Sequence, residues 1–391
     1  MRVYLLAPAN VATGGTELLH QFSKCLTEMR IENYMIYPDR DEIRCPTPDI
    51  FLKYGVKYVT RYVDAEDSVL VLAETQVHLA KECIRGTAMV WWLSVDNYLD
   101  AYREFFTGKE LDIFGLKQKK NVVHFVQSHY AKAFVENTMR LGECFFLKDY
   151  INDQIVQIAN ALNGTIERQN ICLYNPKKGL EVIEPIIEAT QDEIQWIPLT
   201  GMKPDEMARV MCQAKMYVDF GKHPGKDRIP REAAICGCMV VTNQKGSAAY
   251  QQDVNIPVDC KIEDTENVYV VASKIKRMMA NYEDRYADYE IYRQQIRREK
   301  EEFLDEAKHS VEILKQMVGP KVDQNVALMD YAPPFASIRK VLQTMDSMVA
   351  DSVNACYEGD ANRLKKHLCE MDYLLQLVRE TVYAELSEMN R

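Results

Sequence analysis

Short, nearly continuous apolar runs alternate with longer amphipathic runs over most of the chain. Clear examples of the apolar kind are residues 2–8, 68–73 and 88–94. Such runs predict strands buried on both faces, which are typical of parallel sheets covered by helices. The amphipathic runs between them predict those helices. The chain is therefore expected to be α/β, with doubly wound parallel sheets.

The same pattern predicts two series of elements and a separate tail. Thr16 is expected to cap the first helix, and a long charged helix is expected over 281–317. Two further helices, about 336–357 and 361–386, follow a polar linker that reaches Pro333-Pro334. The predicted domains are 1–165, 166–318 and 319–391. Further strands are predicted at 34–37, 56–62, 121–127, 144–147, 170–174, 194–198, 216–220 and 239–242, and further helices at 77–84, 129–139, 180–190 and from about 230.

Polar residues stand where predicted strands end, which is where ligands bind in open parallel sheets. Glu74 and Asp96 are the acids at such positions in the first series. Asp96 is the candidate catalytic residue, and the alternative is that it caps a helix beginning near Tyr98. Histidines 78, 124 and 129 are candidates for acid–base roles, although His124 lies inside an apolar run and is expected in the core.

The stretch 216–247 carries the strongest chemical signal. A buried strand is followed by a loop containing Gly221 and Gly225, and then by a helix expected to open near Pro230. Glycines and a helix N-terminus allow backbone N–H groups to approach an anion, and Glu232 sits where the helix dipole favours negative charge. Together these features outline a nucleotide-sugar site, and the alternative is an ordinary solvated basic loop. The loop gathers five cations: Lys222, His223, Lys226, Arg228 and Arg231.

A P-loop does not fit this stretch. Residues 221–226 are one residue short of that spacing, and Asp227 replaces the Ser or Thr that holds magnesium.

Residues 230–242, PREAAICGCMVVT, resemble the second-domain signature of GT-B glycosyltransferases of the family-4 type, which are retaining and use nucleotide sugars. This resemblance, over roughly residues 1–315, implies two facing Rossmann-like domains, to which the sequence adds a C-terminal helical hairpin. It implies that Glu232 holds the donor ribose. The family usually has another glutamate eight positions earlier, where this chain has Pro224. His223 beside it is the remaining candidate for contact with the sugar.

Two further segments resemble the same family. The turn at 175–179, NPKKG, is similar to the place where a lysine neutralises the leaving diphosphate, which points to Lys178. An arginine that often precedes this lysine is missing, because Cys172 and Leu173 stand there. The sequence GGTE at 14–17 resembles the glycine pair after the first strand, and it implies that Gly15 approaches the donor phosphate. The implied phosphate-binding residues are Gly15, Lys178, Lys226, Arg228 and Arg231.

Composition narrows the class of protein. The chain has 48 Lys and Arg against 58 Asp and Glu, and this acidic balance argues against nucleic acid as a partner. The 11 cysteines show no CxxC pair, and free thiols in a reducing cytosol are expected. The apolar run at 2–8 is too short for a leader segment, so none is expected, and no apolar run reaches the length of a membrane span. A cytoplasmic protein is expected, with peripheral membrane association left open.

The resemblance implies transfer of a hexose from a UDP- or GDP-linked donor to a glycan, lipid-linked or protein acceptor in bacterial-type glycoconjugate synthesis. Retention, and no metal or other cofactor, are implied as well. One alternative is a non-catalytic GT-B partner subunit, and a GT-B epimerase is a weaker one. The tail is predicted to bury an apolar stripe either on the body of the chain or across a homodimer, of which the homodimer is preferred. That stripe comprises Leu364, Leu368, Met371, Leu375, Val378 and Val382.

Overall fold

The computed structural model describes residues 1–38, 45–108, 110–319, 345, 348–349 and 351–389. The strands are β1 (Arg2–Leu6), β2 (Glu32–Ile36), β3 (Tyr58–Val59), β4 (Ser68–Ala73), β5 (Thr87–Trp92), β6 (Val122–Val126), β7 (Cys144–Phe146), β8 (Gln169–Tyr174), β9 (Gln195–Pro198), β10 (Ala214–Asp219), β11 (Met239–Asn243) and β12 (Lys261–Ile262).

The α-helices are α1 (Gly14–Glu28), α2 (Val95–Ala101), α3 (His129–Ala133), α4 (Asp153–Leu162), α5 (Leu180–Thr190), α6 (Pro204–Gln213), α7 (Arg228–Ile235), α8 (Val268–Ala280), α9 (Tyr282–Arg285), α10 (Glu290–Met317) and α11 (Ala361–Met389). A π-helical turn, Phe134–Thr138, continues α3. Short 3-10 segments lie at Asp49–Tyr54, Glu74–Glu82, Arg103–Phe105, Leu116–Gln118, Gly246–Ala249, Val258–Cys260 and Tyr286–Tyr289.

The strands form two sheets. The first has seven strands in the order β3-β2-β1-β4-β5-β6-β7, and the second has five in the order β12-β11-β10-β8-β9. In the second sheet β10 pairs in parallel with both β8 and β11, so that Val218 lies opposite Tyr174 on one side and Val241 on the other. Helices follow the strands of both sheets, and the predicted architecture of two parallel, Rossmann-like sheets is confirmed.

Burial follows the apolar runs that predicted the strands. In the second sheet β10 is the central strand and β11 is one of its neighbours, and Met216, Val218 and Val240 have no exposed surface. The core cluster around them includes Ile183 and Ile275 from the covering helices α5 and α8. Removing this apolar surface from water is the main stabilising contribution to the sheet.

Several predicted helix starts differ from the observed ones. The cap of α1 is Thr13 rather than Thr16, because the Thr13 side chain accepts from the Thr16 N–H while Thr16 Oγ1 accepts from the Thr13 N–H. Helix α2 is capped by Ser94 and starts at Val95, so the alternative in which Asp96 is the cap is wrong.

Two other predicted elements are also displaced. The helix predicted to open near Pro230 begins at Arg228, which places Pro230 inside its first turn. The helix predicted at 77–84 is a 3-10 segment that begins at Glu74.

The chain divides into two compact units. Unit 1 comprises Met1–Leu72, Leu79–Met89 and Glu312–Arg391, and unit 2 comprises Ala73–His78 and Val90–Val311. The domain boundaries predicted at 165 and 318 stay predictions.

The described part of the tail belongs to unit 1. In α11 the buried side chains are Tyr373 and Leu374, and the Tyr373 ring lies 5.5 Å from that of Tyr58. Leu368 and Leu375 are 53% and 44% exposed. Leu368 and Leu375 of the predicted stripe therefore lie away from the face of α11 that packs on unit 1, whereas Leu364 and Met371 are half-buried.

Other parts of the tail prediction lie outside what is described. These parts are the side chains of residues 378 and 382 and most of the helix predicted at 336–357. Residues 351–358, which are described, are helical. None of the described helices is both long and apolar enough to cross a membrane.

Candidate functional site

The turns that follow β8 and β10 meet at the carboxyl edge of the second sheet, because these strands are parallel neighbours. The first turn carries Lys178, and the second carries Gly221. A Cβ atom placed on Gly221 would lie 2.5 Å from Cβ of Lys178. Gly179 has φ +66°, a conformation that side-chain-bearing residues rarely adopt. The glycines therefore let the two turns approach backbone to backbone and fix the position of Lys178.

A cluster of four charged or titratable side chains lies at this edge, and we call it the Lys178 cluster: Lys178, Asp219, His223 and Asp227. Lys178 Nζ lies 2.9 and 3.0 Å from the two carboxylate oxygens of Asp227. His223 Nδ1 lies 3.0 Å from Asp227 Oδ2, and its Nε2 lies 3.8 Å from Asp219 Oδ1. Asp219 also accepts hydrogen bonds from the Tyr217 hydroxyl and the Gly221 N–H. Asp227 thus joins an ammonium group to a histidine.

Burial sets the charges of the Lys178 cluster. Burial by itself would lower the pKa of His223, but the hydrogen bond with Asp227 and the charge of Asp219 raise it above its ordinary value. Burial would raise the pKa of Asp227, yet His223 and Lys178 hold it below its usual range. For Asp219 burial dominates, and its pKa is raised. Asp227 is consequently the carboxylate most firmly held in its charged form.

Asp219, His223 and Asp227 could also hold a metal ion, since one ligand atom from each lies within 4.8 Å of the others. The chemistry of this donor set, two carboxylates and an imidazole, suits a divalent transition metal. The Lys178 ammonium already contacts both oxygens of Asp227, so a positive charge is present without a metal.

Most of the predicted phosphate-binding cations lie in a second, buried ion network. Arg231 is 1% exposed and donates to Asp149 at 2.8 and 2.9 Å and to Glu299 at 2.7 Å. Lys226 Nζ lies 2.9 Å from Glu299, and Arg228 Nε lies 3.2 Å from Asp149. The Arg231 guanidinium is enclosed by carboxylates from two other segments of unit 2. Phosphate binding by these three cations stays a prediction, and here each of them neutralises an acid.

The remaining predicted residues are placed as follows. Lys178 keeps 29% of its side-chain surface exposed, and the exposed Lys222 approaches Asp100 at 3.7 Å. Glu232 is buried within α7. Gly15 lies in the first turn of α1, within unit 1. The roles predicted for Glu232, His223 and Gly15 stay predictions.

Unit 2 also contains the ends of strands β4 and β5, and the residues after β5 contact the loop that carries His223 and Asp227. Glu74 accepts a hydrogen bond from the Leu93 N–H at 2.9 Å, and the Val95 N–H donates to the Pro224 carbonyl at 2.9 Å. A Cβ atom on Gly225 would lie only 2.1 Å from the Leu93 carbonyl oxygen. Burial raises the pKa of Glu74 to about 7. The end of β5 is therefore held between an internal carboxyl group and this loop.

Asp96, the predicted catalytic residue, lies in the first turn of α2 and accepts a hydrogen bond from the Tyr130 hydroxyl at 2.9 Å. The neighbouring helix α3 is capped by Ser128, and the two carboxylate oxygens of Asp253 accept its first backbone N–H groups, those of His129 and Tyr130. Among the residues that the structure describes, no hydrogen bond or ion pair joins Asp96 to the Lys178 cluster. The catalytic role of Asp96 stays a prediction.

Two of the histidines predicted as acid–base candidates, His124 and His78, have hydrogen-bonding partners. His124 is buried and accepts from Trp92 Nε1 at 3.2 Å, and burial lowers its pKa to about 4, so it lies in the core as predicted. His78 Nδ1 lies 2.8 Å from the Tyr102 hydroxyl.

Sequence reasoning missed the acids of both networks: Asp149, Asp219, Asp227 and Glu299. A signal existed for Asp219, which ends β10 just as Glu74 follows β4. The rule that singles out polar residues at strand ends would have found it. Asp149, which comes shortly after β7, is near enough to its strand for the same rule.

Comparisons with solved structures find the same fold in glycosyltransferases. A glycosyltransferase from Rickettsia africae matches with TM-score 0.55 and 13% identity, over 81% of this chain and 98% of its own. Sucrose-phosphate synthase from Thermosynechococcus elongatus gives TM-score 0.55 and 13% identity, over 81% and 99%. Anabaena HepE, solved in complex with UDP and glucose, gives 0.54 and 10%, over 81% and 100%.

The chain has the GT-B fold. This confirms the fold that the resemblance implied, and identities of 13% or less carry the likeness no further than the fold. No protein-family model matches the sequence, and no curated protein matches it either. Membership of family 4 stays a prediction.

Proposed function

We propose that this chain is a glycosyltransferase that moves a sugar from a nucleotide-sugar donor to an acceptor. The observation that carries the proposal is Lys178, a partly exposed ammonium group at the carboxyl edge of the second parallel sheet. Glycines on both adjoining turns let the two backbones pack against each other and hold Lys178 at this edge. The GT-B fold supports the proposal, since HepE with this fold was solved with UDP and glucose.

In the proposed reaction the bond between the sugar and the diphosphate breaks, and a bond from the sugar to an acceptor oxygen forms. Negative charge grows on the departing diphosphate as its bond to the sugar lengthens. The Lys178 ammonium opposes that charge, and a fixed positive group at such a position contributes on the order of 3 kcal/mol to transition-state stabilisation. The proton of the acceptor hydroxyl leaves to a base, for which Asp96 is the candidate.

The finer assignments belong to the same proposal. The donor is a UDP- or GDP-linked hexose, and Glu232 holds its ribose while His223 lies near the sugar. Lys178, with Gly15, Lys226 and Arg228, receives the phosphates. We further propose that the reaction retains the configuration of the sugar and needs no metal. The acceptor is a glycan, a lipid-linked molecule or a protein. The expected place of action is the cytoplasm, with peripheral membrane association left open.

Calorimetry and donor hydrolysis test the proposal on the purified chain. UDP, GDP and ADP are titrated first, and one of them is expected to bind. Lys178→Met should weaken that binding by about tenfold or more, because it removes a charge-assisted contact. Lys177→Met is the matched control, since it removes the same charge from the exposed neighbouring position and should leave binding unchanged.

Hydrolysis of UDP- and GDP-hexoses then separates an enzyme from a non-catalytic GT-B subunit. Slow release of sugar from one donor, lost in Lys178→Met, supports a transferase. Nucleotide binding with no hydrolysis of any donor in the presence of acceptor extracts would favour the non-catalytic alternative. Absence of all nucleotide binding at millimolar concentration would contradict the site itself.

A homodimer formed through the tail is a separate part of the proposal. Leu368 and Leu375, seven residues apart on one face of α11, are both exposed, and they are the residues that a second copy would cover. Light scattering on the whole chain should give a dimer, and the double change Leu368→Glu with Leu375→Glu should give a monomer. An unchanged mass in the variant would remove this role from α11.

A further inference from the structure

Two cysteines that are 324 positions apart in sequence meet within unit 1. Cys45 Sγ lies 2.8 Å from Cys369 Sγ. Cys45 is 3% exposed and lies between β2 and β3, whereas Cys369 is partly exposed on α11. A disulfide bond needs a sulfur–sulfur distance of about 2.05 Å, so the two atoms have less than about 1 Å to move.

Contacts on both sides of Cys369 hold α11 in this position. One turn later, the Tyr373 ring packs 5.5 Å from the Tyr58 ring, and the Tyr58 hydroxyl donates to the Cys369 carbonyl at 3.1 Å. One turn earlier, Lys366 Nζ lies 3.5 Å from Asp49 Oδ2. The two sulfur atoms therefore lie within a set of packing and hydrogen-bond contacts between α11 and unit 1, rather than forming a single isolated contact.

The chemistry at Cys45 favours exchange. The hydrogen bond from Cys369 lowers the pKa of the Cys45 thiol more than burial raises it. The thiolate is the nucleophile in disulfide exchange, so the dithiol pair loses its first proton more readily, and transfer of the shared proton to Cys45 places the thiolate on the accessible Cys369 sulfur.

The other cysteines of the described chain lack this combination of a sulfur partner and access. Cys212 and Cys236 influence each other's pKa, but both are buried in the core of the second sheet, where an oxidant does not reach. Cys356 is exposed in the same tail, and it is the natural control for reactivity alone.

We propose that Cys45 and Cys369 form a redox modification site, a dithiol that a small disulfide of the glutathione class converts into an intramolecular bond. The partly exposed Cys369 sulfur attacks the small disulfide, gives up its proton, and forms a mixed disulfide as one thiol is released. The Cys45 thiolate then attacks the Cys369 sulfur, and a second thiol is released. Two electrons pass to the small disulfide, which leaves as two thiols carrying the two protons.

The bond would join α11 covalently to the segment that follows β2. A cross-link between residues so distant in sequence strongly restricts the unfolded chain, so it should hold α11 on unit 1. In the dithiol form only non-covalent contacts hold the described part of the helix in place, among them the ring packing, one hydrogen bond and one exposed ion pair. The redox state of this pair therefore controls how firmly the tail is attached.

The test uses the full chain in reduced glutathione and in oxidised glutathione. Free thiols are alkylated, and peptides are mapped without reduction by mass spectrometry. We expect a Cys45–Cys369 linked peptide only in the oxidised sample, absent from Cys45→Ser and Cys369→Ser and retained in Cys356→Ser. Hydrogen exchange of the wild-type chain should slow at least severalfold over residues 361–376 on oxidation.

Two results would overturn the proposal. One is a glutathione adduct on Cys356 while Cys45 and Cys369 remain alkylated as free thiols in oxidised glutathione. The other is a linked peptide that forms without slowing the exchange of α11, or that joins isotope-labelled to unlabelled chains. The wild-type comparison needs no substitution, so a variant that fails to fold does not weaken either result.

Discussion

The ammonium nitrogen of Lys178 lies 2.9 Å from a carboxylate oxygen of Asp227, contributed by a loop 49 residues later in the chain. The carboxylate stands where the proposed function places a diphosphate oxygen. Donor binding then requires Lys178 to exchange one anion for another, and the His223 ring on the far side of Asp227 offers that carboxylate an alternative partner.

Asp227→Asn should strengthen nucleoside diphosphate binding. The amide keeps the shape of the side chain but removes the charge that competes for Lys178. An ion-paired hydrogen bond is worth about 1.5–3 kcal/mol, so an increase of roughly tenfold in affinity is expected by calorimetry. Asp192→Asn, at an exposed position in the same domain, should change nothing. Weaker binding by Asp227→Asn would mean that Asp227 supports the ligand instead.

Glu232→Gln should separate a ligand contact from a structural role. If Glu232 holds the ribose, the substitution weakens binding of a ribonucleoside diphosphate more than that of its dideoxy analogue, because only the former offers both hydroxyls. A difference of about 1 kcal/mol or more between the two losses is expected in parallel titrations. Equal losses for both ligands would assign the buried carboxyl group to the packing of α7.

Arg231→Met should unfold the chain more easily without acting first on nucleotide binding. Removing the guanidinium takes the nearest cation from the buried Asp149 and Glu299 and leaves them only Arg228 and Lys226, so a cost of about 3 kcal/mol, the low end for a broken buried ion pair, is expected. Urea denaturation measures the loss. Arg209→Met, on the exposed side of α6, should stay within about 0.5 kcal/mol of the wild type. A stable Arg231→Met chain that no longer binds nucleotide would support the predicted phosphate-binding role of Arg231.

Glu74→Gln should make the chain more stable at high pH. Burial raises the pKa of Glu74 to about 7, above its ordinary value. The stability that the protonated carboxyl group contributes is present below its unfolded pKa of about 4.3 and is lost as the pH rises through about 7. Glutamine cannot ionise and can still accept from the Leu93 N–H.

Urea unfolding at about pH 5 and about pH 8 checks this expectation. The advantage of Glu74→Gln over the wild type should grow with pH, whereas Glu82→Gln, an exposed position, should show no such trend. A constant difference at both pH values would mean that Glu74 does not titrate in this range.

Local patterns were enough to predict the second sheet and its loop. The apolar runs of β10 and β11 are bounded by polar residues, and the sequence NPKKG at 175–179 predicts the turn that contains Lys178. The partner of Lys178 could not be predicted in the same way. Asp227 meets it only because β8 and β10 are neighbours in the sheet, and periodicity along the chain does not reveal strand order.

The same limit explains the basic loop. Counting cations from Lys222 to Arg231 suggested an open positive surface, because the acids that neutralise it come from elsewhere in the chain. Asp149 precedes Arg231 by 82 residues, and Glu299 follows it by 68. In the tail, the spacing of Leu368 and Leu375 indicated an apolar face correctly, but spacing does not identify which face packs on unit 1.

At Gly225 the chain tolerates no side-chain volume at all. The single hydrogen atom there is what allows the Leu93 carbonyl to sit so close, since the added carbon of an alanine would overlap that oxygen. An alanine would act as a wedge, pressing on the end of β5 and straining the hydrogen bond between Val95 and Pro224. The displacement would reach Glu74 through the Leu93 N–H. One methyl group would thus disturb three separate segments of unit 2: the loop at Gly225, the end of β5 and the segment that begins at Glu74.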